Sequence, residues 1–257
     1  MARPVLIIRT LVLAYEAVIQ NLSIFLSFVW LPVALNGAML VSTLFVGDIP
    51  KWVLFPSIAF CIAVWVPPIT AWHRYLILSE ILPNPWFRLS FGEPEWAYLW
   101  RAVLFHAVFL LTSFSFFSIY VAMSEHYIDS LPDLNSNNFP SVLTMYLIGF
   151  LAYLPLSRFL LIFPAVAVRN PISLRTSWKL SKGNGLQLWM LYVLAIAPGL
   201  ICRELVNQSS LNPGIGATRT ELVLLFPIRY FPELAFFMIV VGALSFSYLK
   251  LVDKSQQ

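Results

Sequence analysis

The sequence predicts an all-α, polytopic membrane protein, with six transmembrane helices and interfacial amphipathic helices in a single domain over residues 1–257. Three observations carry that prediction. Hydrophobic residues make up 60% of the chain and charged residues 11%, and the mean hydropathy is +0.80, far outside soluble globular usage. Six apolar stretches approach the roughly 20 residues needed to cross a hydrocarbon core. Finally, Lys and Arg fall unevenly between those stretches, as topology requires. No Gly/Ser/Pro linker or charge block divides the chain. The net charge of +4 is scattered among apolar spans, which implies attraction to anionic lipid and not a nucleic-acid footprint.

Met1–Gln20 is apolar, but Arg9 and Glu16 interrupt it and no clear small-residue cleavage site follows. It is therefore read as a helix along the bilayer surface and not as a cleaved signal peptide. Arg9, Glu16 and Gln20 sit at i, i+7 and i+11, one narrow polar stripe on an apolar helix. The six spans are Leu22–Val46, Trp52–Trp72, Ala102–Met123, Val142–Val168, Leu186–Cys202 and Phe231–Leu251, of which the fourth is long and the fifth short. Prolines occur inside spans at Pro32, Pro56, Pro67, Pro68, Pro155, Pro164, Pro198, Pro227 and Pro232. Such breaks either free carbonyls to line a path or merely kink buried helices.

Orientation follows from the basic residues. One side collects Arg3, Arg9, Arg74, Arg88, Arg101, Arg169, Arg175, Lys179, Lys182, Lys250 and Lys254, against Lys51, Arg203 and Arg219 on the other. Both termini are therefore expected in the cytoplasm. The loop Ser124–Ser141, SEHYIDSLPDLNSNNFPS, has no Lys or Arg and is expected outside. Asn207-Gln208-Ser209 matches a glycosylation acceptor, which matters only in a eukaryotic secretory pathway. The nine tryptophans cluster mostly near predicted span ends, as interface anchors.

The segment Arg158–Gly185, RFLLIFPAVAVRNPISLRTSWKLSKGNG, holds the most information. Arg175, Lys179 and Lys182 lie at i, i+4 and i+7, beside a stripe of Leu174, Trp178 and Ser181, which predicts an interfacial helix. Asn170-Pro171 is its expected start and Gly183-Asn184-Gly185 its stop. Arg9, Arg74, Arg175, Trp178, Lys179 and Lys182 are the candidate membrane-surface or lipid contacts. Ordinary interfacial anchoring is the reading they favour.

Short matches suggest a repeat. Arg9-Thr10 and Arg175-Thr176 precede Pro32 and Pro198 by the same interval, an offset of 166 residues. Arg74-Tyr75-Leu76-Ile77-Leu78 resembles Arg158-Phe159-Leu160-Leu161-Ile162 at an offset of 84. Three units, 1–84, 85–168 and 169–257, would each carry a surface helix and a hairpin, with Trp86–Trp100 as the middle surface helix. Arg158 would then snorkel at a span end, and FLLIFPAVAV would bend at Pro164 to lie partly in the interface. The competing reading keeps one long fourth span with Arg158 in hydrocarbon, paired with Glu233, unless Arg229 at i−4 absorbs that acid.

"FPAVAV", the turn "RNPIS" and "LRTSWKLSKGNG" resemble the equivalent part of the YciC-like bacterial inner-membrane proteins and of the related membrane domain attached to some glycerophosphodiester phosphodiesterases. The resemblance covers about 28 residues in sequence and most of the chain in layout, since those families are similar in having a surface helix, six spans and this length. It implies the bacterial inner membrane. It brings no activity and no functional residues, and the phosphodiesterase's catalytic domain has no counterpart here.

Catalytic, cofactor and metal sites are not expected. His73, His106 and His126 are scattered, and Cys61 and Cys202 lack ligand spacing and read as structural. Glu93 and Glu95 read as a solvated turn, and no Walker, GxSxG, HExxH or dinucleotide motif occurs. Two classes of function stay open. One is a non-catalytic bundle that organises lipid or associates with another membrane protein, with membrane lipids as its expected partners. The other is a small-molecule or ion transporter using proline-broken helices, with Arg158 and Glu233 as its coupling pair.

Overall fold

The computed structural model describes residues 7–46, 51–81, 91–128, 151, 153–208 and 219–252, with the side chains of 219–235, among others, outside that set. The described residues are helical throughout, with no strand. Eight α-helices run in the order α1 (Ile7–Gln20), α2 (Leu22–Val46), α3 (Lys51–Leu78), α4 (Glu93–Ile128), α5 (Ile162–Ala167), α6 (Leu174–Leu180), α7 (Gly185–Gln208) and α8 (Arg219–Val252). Three are long and apolar enough to cross a membrane, over Leu22–Met39, Glu93–Phe116 and Gly185–Cys202. They match the first, third and fifth predicted spans.

The C-terminal helix α8 organises the bundle, packing against α1, α2, α3, α5 and α7. It meets α1 through small residues. Thr10, Ala14 and Ala17 form the buried stripe of α1, and a Cβ added at Gly242 would lie 3.4 Å from the Ala14 Cβ. Close backbone approach of this kind is how helices pack where lipid removes the hydrophobic driving force. Arg9, Glu16 and Gln20 face away and are exposed, as are Ile8 and Ile19. Asn21 joins α1 to α2 with its side-chain amide donating to the Ala17 carbonyl at 2.9 Å. Its Oδ1 accepts from Tyr75 Oη at 2.6 Å.

Between α2 and α3 lies a dense aromatic cluster. Trp72 is fully buried, edge-on to Phe25 and Phe28 and stacked on Tyr75 at 5.5 Å between centroids. The expectation that span-end tryptophans are interface anchors fails for Trp72, because α2 closes over it. Trp96 and Trp100 on α4 are exposed.

Two expected surface elements are corrected. Residues 93–100, assigned by sequence to a separate surface helix Trp86–Trp100, are instead the first two turns of the 36-residue α4. Pro94 occupies the first turn, where a missing N–H costs no hydrogen bond, so nothing interrupts the helix before its apolar part. The same helix continues to Ile128, into the expected loop Ser124–Ser141, whose remainder lies outside the described residues.

The long fourth span is also broken. Helical residues 153–156 give way to a 3-10 turn at Ser157–Phe159 and a turn at Leu160–Leu161 before α5 begins. Pro164 explains the break, since in a continuous helix its ring would clash with the Leu160 carbonyl and leave it without a donor. All six residues of α5 are buried, against α3, α4 and α8, so the run up to Ala167 packs into the protein's core. A Schellman closure ends α5, with Arg169 N–H donating to the Val166 carbonyl at 3.0 Å and Asn170 N–H to Ala165 at 2.9 Å. Arg169 takes the left-handed position at φ 57°, which glycine usually fills.

Asn170 is thereby used to end α5 and donates to Tyr248 Oη at 3.2 Å. The cap of α6 is Ser173, whose Oγ accepts from Thr176 N–H at 3.1 Å, three residues past the expected start. Its stop is as expected, with Gly183 at φ 81° in the turn. The buried face of α6 is Ser177 and Ser181, whereas Leu174 and Trp178 are exposed.

Candidate functional site

Two recesses lie along α3, α4 and α5. The larger is an apolar cavity of about 380 Å³ between those helices and residues from α7 and α8. It falls in the size range of small-molecule and lipid-chain pockets. Rings build its wall: Phe105 stands edge-on to Tyr153 at 5.6 Å and to Phe163 at 5.5 Å, and Tyr98 contacts Phe163 at 5.1 Å. Edge-to-face pairs hold rings rigidly and keep the space open.

Few polar groups enter this cavity. Tyr153 and Tyr192 stack at 4.2 Å between ring centroids. His106 lines the cavity, and its Nδ1 bonds the Ala102 carbonyl at 2.7 Å. A carbonyl only accepts, so Nδ1 carries the proton and Nε2 is left as an acceptor. His73 is fully buried, with Nδ1 2.7 Å from Ser245 Oγ. The two histidines do not converge, and among the described residues no group of His, Cys, Asp or Glu could hold a metal.

The smaller recess, about 220 Å³, is polar and lined by Arg74, Glu80, Gly92, Glu95 and Arg169 among others. Arg74 Nη1 donates to the Ala167 carbonyl at 3.1 Å, and Nη2 is ion-paired with Glu80. Glu95 is almost fully buried. Its Oε2 accepts from Gly92 N–H at 2.9 Å, and its Oε1 lies 3.3 Å from Thr70 Oγ1. This is one half of a capping box at the start of α4, and it corrects the reading of Glu95 as part of a solvated turn. Glu93 is exposed. The signal was present as Gly92-x-x-Glu95, an N3 carboxylate reaching back to the N-cap amide.

Arg158 lies at neither recess. Its guanidinium carbon stands 4.3 Å above the Trp178 ring, and a Cβ at Gly185 would come within 2.7 Å of its Nε. Ser177 Oγ donates to the Arg158 carbonyl at 2.7 Å, and Ser157 Oγ lies 3.1 Å from the Gly185 carbonyl. Thus α6 is bound to the broken turn, and Arg158 sits beneath it. Arg229 and Glu233 belong to α8 with side chains outside the described residues, as is the side chain of His126. Arg175 and Lys179 are exposed on α6, and Lys182 is exposed in the turn that follows it. On α1, Tyr15 packs edge-on to Phe236 at 6.3 Å, and burial pushes its phenol above the ordinary value. Cys202 is a free thiol, while Asn207-Gln208-Ser209 extends beyond the described residues.

Fold and recesses together define a helical chain, with three helices long and apolar enough to cross a membrane and an aromatic cavity between helices. Compared with protein-family models, curated proteins and solved structures, the chain matches none of them.

Proposed function

We propose that this chain is a non-catalytic, multi-pass protein of the bacterial inner membrane, with six spans and both termini cytoplasmic, that holds and organises lipid. The cavity of about 380 Å³ carries the reading. An aromatic hollow among bilayer-facing helices is filled most readily by a hydrocarbon chain, the most abundant apolar group around it. Arg175 and Lys179 on α6, with Lys182 in the turn after it, support the same reading, because exposed basic groups beside the exposed Trp178 suit an anionic, cytoplasmic surface.

Lipid retention tests this directly. The full chain would be extracted with native lipid, exchanged into detergent, and its bound molecules quantified by mass spectrometry. At least one tightly held lipid per chain is expected, and it should be lost in Ala102→Phe, which fills the cavity from α4. Equal retention by that variant, or no retained lipid in either, would sink the proposal. A stoichiometric protein companion would instead favour a subunit or assembly role.

A further inference from the structure

The break at Ser157–Phe159 carries Arg158 to a place that its sequence position does not announce. Its guanidinium carbon lies 4.3 Å above the Trp178 ring, and Phe159 packs on the same ring at 5.4 Å between centroids. Gly185, the first residue of α7, leaves the room that the side chain needs, since a Cβ there would come within 2.7 Å of Nε. Ring and glycine together hold the planar guanidinium in one pose before any ligand arrives. It lines neither recess.

The neighbours of Trp178 along α6 are also basic. Residues three and four apart on a helix are adjacent, so Arg175 precedes Trp178 and Lys182, in the closing turn, follows it on the same side. Both are exposed, Arg158 is half-buried, and none of the three is ion-paired with a described residue. Three like charges around one ring repel one another. A phosphodiester between them would take two oxygens to the Arg158 fork and relieve that repulsion. Apolar surface beside the charges says which phosphodiester. Leu174, one turn before Trp178 on the same face, and Leu186, next to Gly185, are both exposed. A soluble phosphate has no use for these side chains, whereas a lipid lays its acyl chains on them. A zwitterionic head would bring an ammonium among three cations, which selects against it.

We propose that Arg158, Arg175 and Lys182 bind the phosphodiester of an anionic membrane lipid, whose chains lie against Leu174, Trp178 and Leu186. The proposal rests on the lipid-holding reading above and adds to it a second place, outside the cavity, with a head-group preference. The full chain would be reconstituted in vesicles holding equal amounts of phosphatidylglycerol and phosphatidylethanolamine with matched chains, then re-extracted, and the retained lipids measured. Phosphatidylglycerol should be preferentially retained. Arg158→Lys keeps the charge but loses the stacked fork, and should lower that retention about fivefold. Arg175→Gln combined with Lys182→Gln changes only exposed side chains, which leaves the fold intact, and should lower it about tenfold. Equal or better retention of phosphatidylethanolamine by the native chain, unchanged retention in either variant, or displacement of the phosphatidylglycerol by excess inorganic phosphate would overturn this site while leaving the cavity reading intact. Phosphatidylglycerol preference that survives in Ala102→Phe, with no lipid lost, would uphold this site and sink the cavity. Retention of neither lipid would overturn both.

Discussion

Two aromatic clusters of similar make-up have opposite outcomes. Around Trp72, the rings of Phe25, Phe28 and Tyr75 close into solid packing. Around Phe105, the rings of Tyr153, Phe163 and Tyr98 prop open a cavity of about 380 Å³. The difference lies in the neighbouring helix. On the first side α2 lays Phe25 and Phe28 directly on Trp72, and the small residues of α1 let it press onto α8 at Gly242. On the second, α4 buries only 6% of its apolar window, against 28% for α2 and α7. Aromatic content therefore does not decide whether a region is filled; the closeness of the backbones does.

The comparison breaks first at Trp72. Trp72→Ala should destabilise by about 3–5 kcal/mol, whereas Phe105→Ala, beside an existing hollow, should cost clearly less. Thermal unfolding of both variants in detergent checks the ranking, and equal losses would remove the distinction between the two sides. Gly242→Leu comes next. Its side chain must displace Ala14 or Leu76, whose atoms lie 3.4 and 3.5 Å from a first Cβ, at a cost of about 1–3 kcal/mol. Ala102→Phe on the cavity side should leave the unfolding midpoint nearly unchanged. Gly92→Ala places a Cβ 2.9 Å from Glu95 Oε2, and loss of that cap should cost about 1 kcal/mol. Hydrogen exchange localised to the start of α4 would detect it. Below that comes Arg158→Ala, at about 0.5–1 kcal/mol for its contact with Trp178, read as increased proteolytic access at α6.

Helicity, three helices apolar enough to span and the turn at Gly183 could be read from the sequence, because they depend on local hydropathy and backbone preference. The break near Arg158 was half legible: Pro164 marks it, but the burial of α5 does not follow from the residues. In a membrane protein, lipid-facing and protein-facing surfaces are both apolar, so hydropathy cannot separate Ile162 and Phe163, buried in α5, from Leu110 and Leu111, exposed on α4. The polar stripe of Arg9, Glu16 and Gln20 drew notice on α1, although Thr10, Ala14 and Ala17 make its contacts. The pairing of Tyr153 with Tyr192 and the placement of Arg74 beside Arg169 are long-range and leave no local pattern.

The position of α8 after the other described helices also bears on the order of assembly. Helices α1, α2, α3, α5 and α7 all pack against it, yet the ribosome makes it after all of them. A nascent chain that has not reached Arg219 carries the six-residue α5, too short to span, without one wall of its burial site. Until Arg219–Val252 has been synthesised, the helices α1, α2, α3, α5 and α7 therefore lack the one surface that they all share.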